Sequence, residues 1–372
     1  MIMKILILNW RDVCHPKSGG AEVVTMEHAK AWVKAGHSVS WLTAQYAGAK
    51  QEEFVDGVRI IRHAGSLTVY LFVPFFLLFY GGKYDVIIDE VHGFPFFTPL
   101  FTKKPVIVFI HEIAGEIWDF MFPFPKNIIG RLLEASYFRL YRHCLFWTDA
   151  PSTVEELVAR GIPQDQCTAI PCPITIHTKR GAAVAIKKDK SPTYLFVSRV
   201  VRMKGIEEVI KAFSFILRAQ PKAQLWIVGG GEEEYVRELK DMIEEYGVVK
   251  RTKFFGVVSE ETKFRLMAKA HLLLHASVKE GWGLVVLEAA YVGTPSVVYN
   301  VPGLCDVVKN GQTGIVIPNN SPHEMATETL RLYTDRKRYT KYQKNGKLWV
   351  ASLRWDDAKR QSLSLLTRAV KE

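Results

Sequence analysis

The sequence predicts an α/β protein of two doubly wound units, each a parallel sheet covered by helices on both faces. Three observations carry this. Short runs that are apolar throughout alternate with longer helical stretches, which is the pattern of strands buried on both faces. The alternation breaks at a polar, basic stretch, Thr178 to Pro192 (TKRGAAVAIKKDKSP), and then starts again. A chain of 372 residues, at about 150 residues per domain, is also the length of two domains.

In the first unit, Lys4–Asn9 (KILILN) reads as a buried first strand, because the start of the chain lacks a long apolar core followed by a small-residue cleavage site. A helix is expected from about Gly20 to Ala35, then strands at His37–Thr43 and Val58–His63. Leu67–Tyr80 (LTVYLFVPFFLLFY) is nearly all apolar. Its length as a helix, about 21 Å, falls short of the roughly 30 Å hydrocarbon core of a bilayer. Pro74 also interrupts it, so it is expected to be a buried helix, with an interfacial membrane contact as the alternative. Strands follow at Asp85–Val91, Pro105–Glu112 and Leu145–Thr148, with a second apolar cluster at Gly93–Phe101 and a helix from about Asn127 to Arg142.

The second unit opens with a strand at Tyr194–Ser198 and a helix from about Gly205 to Ala219. Strands at Gln224–Val228, Lys253–Val257, Leu272–His275, Ser296–Tyr299 and Thr313–Ile317 alternate with helices from about Glu232 to Glu245, from Glu260, and from about Leu284 to Val292. From Pro322 onward the pattern is helical. The expected division is residues 1–180, residues 181–350 and a basic terminal helix over residues 351–372. Open α/β sheets place ligands at the carboxyl ends of their strands, so two such units imply a substrate cleft between them.

Composition excludes a disordered or fibrous chain, with 48% apolar and 23% charged residues. The net charge of +11 raises nucleic acid, a phosphate-rich ligand or an anionic membrane as partners. It is unevenly spread: residues 1–180 carry 18 basic and 17 acidic side chains, whereas residues 331–372 carry 12 and 4. No nucleic-acid-binding motif occurs, and no nucleic-acid partner is expected. Five cysteines without a two-residue spacing make neither a disulfide framework nor a zinc site, and fit a reducing cytoplasm.

The most specific motif is the segment Ser277–Ser296 (SVKEGWGLVVLEAAYVGTPS), in which seven residues separate Glu280 from Glu288. Gly281 and Gly283 permit a tight turn directly before a helix, whose first amides and dipole favour an anion. Eight positions at about 1.5 Å each let the two carboxylates serve opposite ends of one extended ligand. A glycine-rich turn with surface glutamates is the plainer alternative. The segment resembles the signature of the family-four glycosyltransferases, retaining enzymes that use nucleotide-diphosphate sugars and have the GT-B fold of two facing Rossmann-like domains, the last helix commonly crossing back to the first domain. The resemblance implies that Glu280 holds donor-sugar hydroxyls and Glu288 the ribose, and that amides near Gly283, Leu284 and Val285 meet the distal phosphate.

Five further blocks resemble the same family. Phe196–Gly205 (FVSRVVRMKG) matches its arginine and lysine-glycine element, and implies that Arg199 and Lys204 stabilise the departing diphosphate. Ser18–Glu22 (SGGAE) places Gly19 and Gly20 where the family has a glycine pair beside the donor diphosphate. His111, in Phe109–Glu112 (FIHE), matches the family's active-site histidine and implies a donor-sugar or transition-state contact. The segments around Gly230 (IVGGGE) and Val257 (FFGVVS) resemble those that hold the nucleotide base. Two departures stand out. Ile170–Thr175 reads IPCPIT where the family often has an Ile-Pro-Asn-Gly-Val-Asp turn, and Trp282 replaces a commoner phenylalanine.

No Asp-x-Asp motif occurs, so transfer is expected to need no metal and no cofactor beyond the donor. The expected function is retaining glycosyl transfer from a nucleotide sugar to an acceptor hydroxyl. The apolar clusters of the first unit suggest a lipid-linked or membrane-proximal acceptor, and with the basic tail they suggest a peripheral contact with an anionic membrane. A sugar-nucleotide epimerase of the same fold and a non-catalytic sugar-nucleotide-binding partner are the rival readings.

Overall fold

The structure, a computed structural model, describes residues 2–176 and 186–371. The chain divides into two compact units, Met1–Cys172 with Arg354–Glu372, and Pro173–Leu353. Residues 178–185 of the expected linker lie outside the described residues.

The first unit is built on β1 (Lys4–Leu8), β2 (Ser38–Thr43), β3 (Glu52–Val55), β4 (Val58–Arg62), β5 (Val86–Val91), β6 (Val106–Ile110), β7 (Leu145–Thr148) and β8 (Cys167–Ala169). They form one sheet in the order β3-β4-β2-β1-β5-β6-β7-β8, parallel except for the hairpin of β3 and β4. Its helices are α1 (Gly20–Lys34), α2 (Val69–Tyr80), α3 (Ile117–Met121), α4 (Lys126–Tyr137) and α5 (Pro151–Ala159). Central strands such as β5 and β6 are buried at every residue, which is why they read as unbroken apolar runs.

The second unit has β9 (Thr193–Val197), β10 (Gln224–Val228), β11 (Thr252–Gly256), β12 (Leu272–His275), β13 (Ser296–Tyr299) and β14 (Gly314–Ile317) in the order β11-β10-β9-β12-β13-β14. Every pairing is parallel. Its helices are α6 (Ile206–Ala219), α7 (Glu233–Glu245), α8 (Glu260–Lys269), α9 (Leu284–Tyr291), α10 (Leu304–Val307), α11 (Pro322–Thr334) and α12 (Arg336–Ser352). The chain ends in α13 (Trp355–Lys371), which belongs to the first unit and packs on α1, so the predicted return of the last helix is observed.

One buried hydroxyl pins α13. Ser362 Oγ accepts from Trp32 Nε1 at 3.0 Å and shares a 2.9 Å hydrogen bond with His28 Nδ1. Lys359 adds an ion pair to Glu27 at 2.9 Å. Burial pushes the His28 imidazole down to about 3, so this contact is made by a neutral ring.

Two expectations need correction. The segment Leu67–Tyr80 is not a buried helix: the helix runs on through Pro74, and only the stripe Val69, Val73, Leu77 is buried. Leu71, Phe75, Leu78 and Phe79 face outward. The charge of the C-terminal region does not travel with the last helix either. Residues 354–372 carry 5 basic and 3 acidic side chains, whereas α12, in the second unit, carries 6 basic and none acidic.

An unpredicted feature is the orientation of α4. Its buried residues are Gly130, Glu134 and Tyr137, while Ile128, Ile129, Leu132 and Leu133 are exposed. The buried Glu134 explains this. Its carboxylate accepts from the backbone amides of Ala114 (2.7 Å) and Gly115 (2.6 Å) and from Trp118 Nε1 (3.1 Å), which holds the polar stripe inward and turns the apolar stripe out. No described helix is long and apolar enough to cross a membrane.

Replacing Ser362 by Ala leaves the buried Trp32 and His28 nitrogens without their partner. It should destabilise the protein by about 1–3 kcal/mol, read as a shift of the urea-unfolding midpoint.

Candidate active site

In each unit the residues singled out from sequence gather at the carboxyl ends of the parallel strands. In the first unit the loop after β1 is fixed from beneath by a buried ion pair. Arg62 Nε and Nη2 lie 2.7 and 3.1 Å from the two oxygens of Asp12, and Arg62 Nη1 lies 2.6 Å from Glu53. This loop delivers Gly19 and Gly20 to the start of α1. There Glu22 Oε2 accepts from the Gly19 amide at 2.6 Å, and its other oxygen meets Arg11 Nη2 at 2.8 Å. The remaining first-turn amides of α1 point along the helix axis, as at any helix start.

Beside that turn, β5, β6 and β7 end in a connected array. His111 Nδ1 lies 2.5 Å from Asp149 Oδ2, and His111 Nε2 lies 3.2 Å from Glu90 Oε1. His92 Nε2 reaches the same Glu90 oxygen at 3.2 Å, and Thr25 Oγ1 donates to the other at 3.0 Å. Burial alone would push His111 down, but the two carboxylates outweigh it and raise it from 6.5 to about 10. Burial likewise works to raise Glu90, and the two histidines overcome it and hold it low. His111 is therefore an imidazolium between two carboxylates.

In the second unit, the loops after β9 and β12 are stitched together by Val278 N donating to Met203 O at 2.9 Å. Across this junction Lys204 Nζ lies 2.7 Å from Glu280 Oε1, and His275 Nε2 lies 2.8 Å from the same oxygen. Burial would raise Glu280, yet Lys204 and His275 depress it far below the usual carboxylate range. Gly205 makes the close approach possible: its φ is +69°, and a Cβ there would sit 1.8 Å from Ala276 O. Gly283, at φ +88°, caps α9 and leaves the amides of Leu284 and Val285 at the helix start.

The other predicted residues stand around this pair. Arg199, the second residue after β9, is exposed and makes no side-chain bond among the described residues. Gly230 and Val257 are neighbours at the ends of β10 and β11, where a Cβ on Gly230 would lie 2.7 Å from Val257 Cγ2. Glu288 is not joined to Glu280. It accepts from Lys263 Nζ of α8 at 2.7 Å, and burial pushes it up against that pairing.

Sequence reasoning missed Glu90, His92, Asp149, Glu22 and His275. Asp149 had a readable signal as an acid directly after strand β7, whereas Glu90 shares the end of β5 with a second acid, Asp89. The ligand atoms of Glu90, His92 and His111 lie within 4.8 Å of one another, so these three residues could also hold a metal ion. A nitrogen of each histidine is directed at the Glu90 carboxylate.

Chemically, the second unit offers an exposed guanidinium, a buried ammonium and a helix start. That set suits an anionic leaving group beside a carboxylate suited to sugar hydroxyls. Residues 18–177 match the model described as "Glycosyltransferase Family 4", and residues 181–349 match "Glycosyl transferases group 1". An uncharacterized glycosyltransferase of Methanocaldococcus jannaschii is 27% identical over 364 residues, spanning 90% of each chain. A GDP-mannose-dependent alpha-(1-6)-phosphatidylinositol monomannoside mannosyltransferase of Mycobacterium tuberculosis is 31% identical over 259 residues, 66% of this chain and 64% of its own. Among solved structures, Anabaena HepE in complex with UDP-glucose superimposes with a TM-score of 0.76 at 19% identity, covering 98% of this chain and 100% of its own.

Two outcomes follow from this geometry. Lys204→Met strands a buried carboxylate and should cost about 3 kcal/mol. Most of that loss should vanish when Glu280→Gln is added, as a double-mutant cycle by chemical denaturation would show. A histidine raised above its ordinary value contributes fully below that value and loses its contribution as pH rises through the folded one. The Tm gap between wild type and His111→Gln should therefore be wider near pH 6 than near pH 9.5.

Proposed function

The chain belongs to the family-4 glycosyltransferases, with their GT-B architecture, and from that premise we propose that it moves a sugar from a nucleotide-diphosphate donor to an acceptor hydroxyl with retention of configuration. The observation that carries this reading is the Lys204–Glu280 pair beside the start of α9. It is a cation and a carboxylate locked together at the carboxyl ends of a parallel sheet, where nucleotide ligands bind.

In this reading the bond between the anomeric carbon and the distal phosphate oxygen breaks as the acceptor oxygen bonds to the same face, and the acceptor's hydroxyl proton passes to the departing phosphate oxygen. Arg199, Lys204 and the amides of Leu284 and Val285 receive the growing charge of the diphosphate. In the first unit, Gly19 and Gly20 offer the amides at the start of α1 to a donor phosphate. Glu280 orients the sugar hydroxyls and Glu288 the ribose, while Gly230 and Val257 border the base. His111, a cation by virtue of Asp149 and Glu90, contacts the sugar and cannot serve as a general base while it is protonated. The cations supply the electrostatic stabilisation, and the proposal needs neither metal nor cofactor.

The acceptor is proposed to be lipid-linked or membrane-proximal, and the enzyme to be a cytoplasmic protein with a peripheral contact on an anionic membrane. The outward faces of α2 and α4 support this, for single exposed apolar residues are ordinary but two whole helical stripes are not. So does the phosphatidylinositol-based acceptor in the name of the mycobacterial relative.

The test is a panel of nucleotide sugars screened by thermal shift, followed by acceptor screening of the donors that bind. Transfer should give a product of the donor's own anomeric configuration and persist in EDTA. Arg199→Ala should lower kcat about a hundredfold with unchanged Tm. Inversion of configuration, or EDTA inactivation reversed by a divalent ion, would refute the corresponding part.

A further inference from the structure

A cavity of about 550 Å³ lies in the second unit where α12 packs against the end of α9, and no step of sugar transfer uses it. Gly346 of α12 rests on Ala290, and Gln343 Nε2 donates to Gly293 O at 2.7 Å, which fixes the helix over the turn. The turn is Val292–Gly293, just before β13 begins at Ser296, so the cavity opens at the amino end of that strand. The candidate active site occupies the carboxyl ends. The volume is within the range of small-ligand pockets.

Its walls are cationic. Lys187, Lys188, Lys344 and Lys347 line it, and no carboxylate does. Among the described residues Lys187, Lys344 and Lys347 have no ion pair, and the neighbouring Asp189 is turned onto the amide of Ser191 at 3.1 Å. Lys188 is anchored in the floor, where Nζ donates to Ala270 O at 2.7 Å and Thr294 Oγ1 at 2.6 Å. Neither acceptor is charged. Burial, and then the nearby Lys347, push Lys188 down to about 7.

The helix itself adds to the imbalance. Lys337, Lys341, Lys344 and Lys347 follow at spacings of four, three and three, so each repels the next along one side of α12. Folding gains nothing from such a row, and an anion laid against it would relieve the repulsion. Gly293 fits the same purpose: at φ +77° it has no side chain, and a Cβ would sit 2.9 Å from Lys347 Cε and crowd that lysine.

We infer that this cavity binds a phosphate-bearing anion, with a phosphate group seated between Lys187, Lys344 and Lys347 over Gly293. The shared chemistry is a multiply charged phosphate, whether free in solution or carried by a lipid headgroup.

Pyrophosphate, titrated calorimetrically into the full chain at low salt, is the first probe, with lysine acetylation followed by mass spectrometry to locate it. Pyrophosphate should slow acetylation of Lys187, Lys344 and Lys347 at least about fivefold, whatever it does near Lys204. The variant carrying Lys344→Glu and Lys347→Glu should weaken that binding about a hundredfold, tenfold per lysine replaced. Both side chains are exposed and unbonded, and the change relieves repulsion along α12, so the variant should have a Tm no lower than wild type. Flotation with phosphatidic acid vesicles, against phosphatidylcholine vesicles, identifies the source. Flotation lost in the variant and competed by pyrophosphate assigns a lipid headgroup, and equal flotation of variant and wild type assigns a free phosphate. Unchanged acetylation at the three lysines, or unchanged pyrophosphate affinity in the variant, would overturn the inference.

Discussion

A carboxylate taken out of water must be met by cations or protons, and this demand shapes the candidate site in each unit. In the second unit the single oxygen Glu280 Oε1 is reached by Lys204 from the loop after β9 and by His275 from the end of β12. Three separate stretches of sequence are thereby held by one atom. The arrangement also sets chemistry: with two of its neighbours donating to it, Glu280 stays ionised and fixed, able to orient hydroxyls without taking a proton. In the first unit Glu90 plays the corresponding part, with His92, His111 and Thr25 directed at its oxygens. Parallel sheets bring these groups together because all their strands end on the same side.

Most of the strands that were legible in the sequence are buried on both faces, and their unbroken apolar runs fixed the architecture. The edge strands of the first sheet escaped notice. β3 is Glu-Glu-Phe-Val with Phe54 exposed, a polar strand at the margin of its sheet, and β8 has only three residues, all part-buried. The outward face of α4 was unreadable for another reason. Hydrophobic periodicity assigns the apolar stripe to the core, and only the three hydrogen bonds to Glu134 reverse that choice.

The candidate site divides the same way. Glycine turns and the Glu280–Glu288 spacing are local in sequence and could be read directly. The partners of His111 come from strands 21 and 38 residues away, and nothing short of the sheet order brings them together. Charge was legible by stretch of sequence but not by the unit that carries it. The surplus in residues 331–372 belongs mostly to α12 and the second unit, not to the helix that completes the first.

That completing helix has a consequence for the life of the chain. The sheet of the first unit is spelled out by Ala169, yet the surface of α1 around His28 and Trp32 stays uncovered until Ser362 arrives. On the ribosome, the second unit can be finished while the first is still waiting. Order of synthesis and order of completion are inverted, and the earliest-made domain is the last to be sealed.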